Sequence, residues 1–379
     1  MDTKRLKLGI IFNFSAQWMG GIIYVINLVK TINHLDDKDK PEIFLFYQPD
    51  LSKFLEEFKY PYINFIKWPF PSVVRGNIKS WILRKNVFYD ALIKKYDLDA
   101  VYPAKNFPVK NKTHAKVVAW YADLQHKYYP EFFSRLTIIH RNIRLYFMLK
   151  NASDLIVSSE AVKADFHKFF RMRKDLKVHV FHFTSINDDY LDLNIDELRK
   201  KYNLPEKYYL VSNQFHKHKN HRVLLLALAK LKEMGINKHF AITGKFPRDS
   251  DSPYLKELYR IIEDNKLQDQ ISLMGIIPRG DQIKIMEHAQ AVLQPSLFEG
   301  WSTVIEDAIS LQVPVIASNL PVNIEQLKDN GVYFDPHDVD ELASILSKYP
   351  DRNMNHKPYE EYSMRIQESA ELLVSVFRQ

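Results

Sequence analysis

Short apolar runs and amphipathic segments alternate along almost the whole chain. The alternation stops once, over the polar stretch 184–196, and then starts again. A short apolar run bounded by turn residues reads as a buried strand, and apolar residues spaced three and four apart read as a helix. Strands that alternate with helices build parallel sheets, because parallel neighbours need a crossover long enough to hold a helix. In the first half, strands are expected at 7–12, 43–47, 62–66, 100–102, 117–120, 155–157 and 178–181, with helices at 22–34, 78–95, 130–151 and 161–169. In the second half, strands are expected at 208–212, 239–243, 270–274, 291–293, 313–317 and 332–334. Helices there fall at 222–234, 254–265, 281–288, 303–311 and 339–348. A last amphipathic segment, 359–377, follows the final strand and needs a surface on which to pack.

Length agrees with two α/β domains, since 379 residues exceed the ~250–300 that one core usually serves. The boundaries expected are 1–188 and 189–358, with 359–379 as a closing helix. Cysteine is absent, which removes disulfides and thiolate metal sites and suits a reducing cytoplasm. The basic start followed by an apolar run imitates a leader peptide. Asn13, Ser15 and Gln17 interrupt the run, so a first buried strand is expected instead. No stretch reaches the ~18–20 apolar residues that span a bilayer.

Glycine is scarce, only ten in the chain, so each is informative. Gly20, Gly21, Gly244, Gly275 and Gly300 all stand just after expected strands. Ligands of open α/β sheets bind outside the carboxyl ends of the strands. The glycines therefore outline two strand-end surfaces, one per domain.

Residues 291–318 carry the densest signal. A buried strand leads into a turn holding Glu299 and Gly300, then a helix from Thr303, then a second short strand. Free N–H groups and the positive dipole end at a helix start suit a phosphate, and glycine lets it approach the backbone. A neighbouring carboxylate accepts hydrogen bonds from sugar hydroxyls. Together these are what a nucleotide-sugar requires.

Here the sequence resembles glycosyltransferase family 4, retaining enzymes with two facing Rossmann-like domains (the GT-B fold) whose last helix crosses back onto the first domain. The family signature is an acid, seven residues and a second acid, running into a Val-Pro-Val-type strand. Glu299 takes the first place, Asp307 the second, with Glu306 beside it as a rival. The resemblance is strong over 205–345 and weaker but collinear over 1–190. It is nearest to bacterial members that build O-antigen or capsule chains.

The resemblance implies roles residue by residue. Glu299 would contact the donor sugar, and Asp307 or Glu306 the ribose hydroxyls. Lys219, with help from Lys217, would hold the diphosphate; Gln214 stands where the family often has Arg. The backbone of Gly300, Trp301 and Ser302 and the pair Gly20-Gly21 would approach the donor phosphates. Gly275 and Ile277 belong to the loop expected to read the base. In the first domain, Asp123 and His126 would line the cleft, while Ala122 replaces the family histidine. The leaving phosphate itself would take the acceptor proton. No metal or other cofactor is implied, and the Asp-x-Asp runs at 37–39, 97–99 and 249–251 are discounted.

Charge is uneven. Residues 1–190 hold 30 Lys and Arg against 19 Asp and Glu, and residues 191–379 hold 23 against 27. Residues 53–95 interleave nine basic residues with Trp68, Phe70, Trp81 and Phe88. Two readings stay open for this stretch, a face for anionic lipid and an ordinary solvated surface. No helix-turn-helix, zinc or RNA-recognition signature accompanies the charge, so nucleic acid is not expected. The expected activity is cytoplasmic transfer, peripheral to the membrane, from a UDP- or GDP-sugar to a lipid-linked polysaccharide. A nucleotide-sugar 2-epimerase and a non-catalytic sugar-nucleotide-binding partner are the alternatives.

Overall fold

A computed structural model of the protein describes residues 5–16, 18–187, 190–248, 250–354 and 357–378. Gln17, Asp249 and the expected domain junction at Asp188 and Asp189 lie outside the described residues. The chain divides into two compact units, Met1–Thr184 with Ser363–Gln379, and Ser185–Tyr362.

The first unit is a seven-stranded parallel sheet of β1 (Lys7–Phe12), β2 (Glu42–Tyr47), β3 (Ile63–Lys67), β4 (Ala100–Ala104), β5 (Lys116–Tyr121), β6 (Asp154–Val157) and β7 (Lys177–Val180). Their order is β3-β2-β1-β4-β5-β6-β7. Leu8, Ile10, Phe12 and all of β4 are buried, as strands covered on both faces must be. The order reverses direction between β1 and β4, which places a topological switch point there.

Each strand expected in the first half is present, within two residues at either end. Two helices differ. The segment 78–95 is two helices, Val73–Leu83 and Asp90–Tyr96, because Arg84 takes a left-handed conformation (φ 52°) and Phe88 and Tyr89 turn into the core. The segment 130–151 starts as a 3₁₀ turn at Pro130–Phe132. The helix Arg135–Asn151 then begins behind Ser134, whose Oγ accepts from Thr137 N. The helix Glu160–Phe169 has its expected Ser159 cap.

The closing helix, Tyr362–Arg378, packs on this unit. Lys116 Nζ donates to Val376 O (2.7 Å), Ser369 Oγ donates to His182 O (3.1 Å), and Phe377 lies 5.5 Å from the Tyr102 ring.

The second unit is a six-stranded parallel sheet of β8 (Tyr209–Ser212), β9 (Phe240–Thr243), β10 (Ile271–Gly275), β11 (Val292–Gln294), β12 (Val315–Ser318) and β13 (Gly331–Phe334). The order β10-β9-β8-β11-β12-β13 has its switch point between β8 and β11. Two short helices, Ile195–Tyr202 and Pro321–Leu327, were not expected. The first begins at Asn194, whose Oδ1 accepts from Asp196 N and Glu197 N, inside the stretch read as polar linker. Among the described residues no helix is long and apolar enough to cross a membrane.

Candidate active site

The carboxyl ends of β8 and β11 are neighbours in the second sheet, and their loops are tied together. Leu297 N donates to His218 O (2.7 Å). Asn220, left-handed at φ 53°, donates through Nδ2 to Pro295 O (3.1 Å) and Pro336 O (2.8 Å). These ties bring together two residues 80 positions apart. Lys219 Nζ stands 2.6 Å from Glu299 Oε1, with side chains 18% and 10% exposed.

Gln294, the last residue of β11, is fully buried and organises the turn. Its Nε2 donates to Glu299 Oε1 (2.9 Å) and Ser302 Oγ (3.0 Å), while its Oε1 accepts from Asn213 Nδ2 (2.7 Å). Ser302 caps the helix Thr303–Ser310 by accepting from Ile305 N (3.3 Å). Gln326 clamps the same residue from the other side, accepting from Ser302 N (3.2 Å) and donating to Ser302 O (3.0 Å). Gly300, Trp301 and Ser302 are all buried. The expected segment thus forms a strand end, a fixed carboxylate and a capped helix start.

The two candidate second acids occupy different surroundings. Glu306 is fully buried, with Oε2 accepting from Gln326 Nε2 (2.7 Å) and Oε1 from Tyr362 OH (2.9 Å). Asp307 is also buried. Its Oδ1 accepts from Ser185 Oγ, Arg279 NH2 (2.5 Å) and Asn187 Nδ2 (3.4 Å). Its Oδ2 is buried with no hydrogen-bond partner among the described residues. Arg279 opens the helix Arg279–Glu287, directly after the Gly275–Pro278 loop.

Gly275 has a positive φ of 70° and Ile277 is half-buried against the core. Gly244 N donates to Gly275 O (2.8 Å). At Gly244 (φ 118°) a Cβ would lie 2.6 Å from Asn213 O, so only glycine fits beside the end of β8.

Lys217 is exposed on the 3₁₀ turn Lys217–Lys219. Gln214 Oε1 accepts from Lys245 N (3.4 Å). Three imidazoles surround Lys219 in sequence. Burial, then the Lys219 charge, lowers the pKa of His216, takes His218 down to about 4 and takes His221 to about 3. All three are neutral at physiological pH, so lysine rather than histidine supplies the positive charge here.

In the first unit, Gly20 and Gly21 lie in the first turn of the helix Met19–Ile32, after β1. A Cβ on Gly21 would fall 2.6 Å from the Trp18 ring and 2.9 Å from Phe14. Asp123 follows β5, its Oδ1 accepting from Gln125 N (3.0 Å). His126 is only 2% exposed, with Nε2 3.3 Å from Asn142 Oδ1. Burial, then Arg141, lowers its pKa to about 4.

The structure therefore gathers Lys219, Glu299, Gly300, Ser302 and the acids of one helix in the second unit. Gly20, Gly21, Asp123 and His126 occupy strand ends of the first. Gln294, Gln326, Asn220 and Arg279 carry no motif signal of their own. Gln294 alone was open to detection, as the polar residue ending an apolar strand.

Residues 194–367 match the family model described as Glycosyl transferases group 1. Over 259 residues the chain is 25% identical to the O-antigen chain mannosyltransferase B of Escherichia coli, covering 67% of this chain and 66% of that protein. The matched region thus spans slightly less than two thirds of that relative's length. The solved sucrose-phosphate synthase of Thermosynechococcus elongatus superposes with a TM-score of 0.68 at 16% identity, over 99% of both chains. Anabaena HepE, solved in complex with UDP and glucose, gives 0.65 at 18% identity, over 99% of this chain and 98% of its own.

Two parallel-sheet units with these switch points and a returning last helix define the GT-B architecture of glycosyltransferases. Residues 194–367, the part of the chain that matches the glycosyl transferases group 1 model, include the Lys219–Glu299 pair.

Proposed function

We propose that the protein is a retaining glycosyltransferase of the family 4 type, acting without a metal. It transfers a hexose from a UDP- or GDP-sugar to a lipid-linked acceptor in bacterial surface polysaccharide assembly. The E. coli mannosyltransferase supports the polysaccharide class, and the UDP and glucose held by Anabaena HepE support the donor class. The observation that carries the reading is the 2.6 Å contact of Lys219 with Glu299 beside the start of the helix Thr303–Ser310.

As the glycosidic bond breaks, the diphosphate gains negative charge, and groups already aimed at that charge lower the barrier most. Lys219 and the backbone N–H groups around Gly300 serve this role. Glu299, held by Gln294, accepts from the sugar hydroxyls. Donor binding exchanges the Lys219–Glu299 contact for two others, ammonium to phosphate and carboxylate to sugar. The acceptor oxygen bonds to the anomeric carbon on the face the phosphate leaves, and the acceptor proton passes to the departing phosphate oxygen. No side chain has to act as nucleophile.

Asp307 is the second motif acid in this reading, since its buried Oδ2 is a free acceptor for a ribose hydroxyl. Glu306, saturated by Gln326 and Tyr362, is a positioning residue. His126 positions the first-unit strand end through Asn142, and Asp123, just after β5, is assigned to acceptor binding in this reading.

A radiolabelled-donor assay tests the assignment. Glu299→Ala is expected to abolish transfer with the melting transition retained. Full activity in that variant overturns the reading, and donor turnover without any acceptor points to an epimerase instead.

A further inference from the structure

Two neighbouring helices of the first unit turn their apolar residues outward. Val73–Leu83 buries only Gly76 and Ser80. Val74, Ile78, Trp81 and Ile82 recur at helical spacing on the opposite side, and Ile82 is 74% exposed. The smallest residues make the seat: a Cβ on Gly76 would lie 2.3 Å from the Phe88 ring, and Ser80 Oγ donates to Gly76 O (2.7 Å).

Arg135–Asn151 repeats the arrangement. It buries Leu145, Met148 and Leu149 and exposes Leu136, Ile139, Ile143 and Tyr146 at intervals of three and four. The Trp81 ring stands 5.5 Å from Phe147, so the helices lie side by side. A helix of a globular domain ordinarily hides such a stripe. Apolar surface shared by adjacent elements marks a place where something docks.

Charge selects the occupant. Neither helix contains an acidic residue, whereas Arg75, Lys79, Arg135 and Lys150 are exposed on them and Arg84 and Lys85 follow the first. A second copy of this chain would bring like charge against like. A bilayer with anionic headgroups offers apolar depth for the stripes and negative charge for their flanks, and Lys or Arg near such a surface contributes ~1 kcal/mol each.

We propose that Val73–Leu83 and Arg135–Asn151 together form a docking face for an anionic lipid surface. This gives a location to the membrane side of the proposed function. It rests on first-unit residues alone, so lipid binding and donor chemistry succeed or fail separately.

The test is sedimentation of the full chain with vesicles of phosphatidylcholine, alone or mixed with phosphatidylglycerol, at low and high salt. Tight binding is expected only to the mixed vesicles, weakened by salt, with a blue shift of Trp81 emission that Trp81→Phe removes. The triple variant Ile78→Gln/Ile82→Gln/Ile139→Gln should lose about tenfold or more in partitioning. Its melting temperature and its donor affinity by calorimetry should stay at the wild-type values. The proposal is overturned if the wild-type chain ignores the mixed vesicles, or if the triple variant binds them equally well. It is also overturned if ultracentrifugation finds a dimer that the triple variant disperses.

Discussion

Lys219 Nζ donates to Glu299 Oε1 at 2.6 Å, across two loops that the strand order of the second unit makes neighbours. Both groups are largely shielded, so removing one leaves the other short of a partner. Lys219→Ala should lower stability by about 1–3 kcal/mol and weaken UDP- or GDP-sugar binding at least about tenfold, as a lost charge-assisted hydrogen bond implies. Lys219→Ala/Glu299→Gln should recover part of the stability and none of the activity. Chemical denaturation and calorimetry on the four proteins of the cycle measure both terms.

Asp307 Oδ1 gathers Ser185, Asn187 and Arg279 around one buried oxygen. Asp307→Asn removes the charge from that cluster and should cost about 2–3 kcal/mol. Arg279→Met leaves Asp307 buried without its cation and should cost a similar amount. The double variant should fall well short of the sum, because the sites share one contact. Urea melts of the three variants give the comparison.

Replacing a helical glycine with alanine usually stabilises by about 0.5–1 kcal/mol. Gly76→Ala should do the opposite. Its Cβ would meet the buried Phe88 ring at 2.3 Å, and overpacking of this kind costs about 1–3 kcal/mol. A fall in melting temperature checks the sign.

Burial depresses His126 and His218 to about 4 and His221 to about 3. The unfolded chain, with histidine near 6.5, binds more protons between those values and 6.5, so stability rises with pH through that window. The contribution is complete above pH 6.5 and is lost as pH falls toward 3–4. His221 stacks on Phe215 at 4.2 Å. His221→Phe should flatten the slope by up to about 1.4 kcal/mol per pH unit, read from denaturation at pH 4.5, 5.5 and 6.5.

Periodicity made both sheets legible, because fully buried parallel strands are uninterrupted apolar runs such as Leu8–Phe12 and Val292–Leu293. Helix limits were less so. Ile195–Tyr202 buries only Leu198, leaving no apolar stripe to detect. Residues 78–95 kept helical spacing while Arg84 broke the helix.

At the site, Glu299 and the helix start were readable from local sequence. Lys219 was found through the family resemblance, and its pairing with Glu299 only through the strand order. The amides of Gln294, Asn220 and Gln326 act through geometry that no spacing encodes. The basic aromatic stretch 53–95 was visible as composition, yet Phe88 from it is buried and Trp68 packs against the core. The outward face comes from one part of that stretch, Val73–Leu83 with Trp81, and from the helix Arg135–Asn151, whose apolar stripe reads in sequence as core.

In the proposed function the second unit holds a sugar diphosphate between Lys219 and the start of the helix Thr303–Ser310. A crystal structure of the protein with a UDP- or GDP-hexose measures it directly. Phosphate oxygens are expected within hydrogen-bonding reach of Lys219 Nζ and the Gly300–Trp301 backbone, with Glu299 turned from the lysine to the sugar hydroxyls. A bound donor that leaves the Lys219–Glu299 contact intact and lies elsewhere on the chain contradicts it.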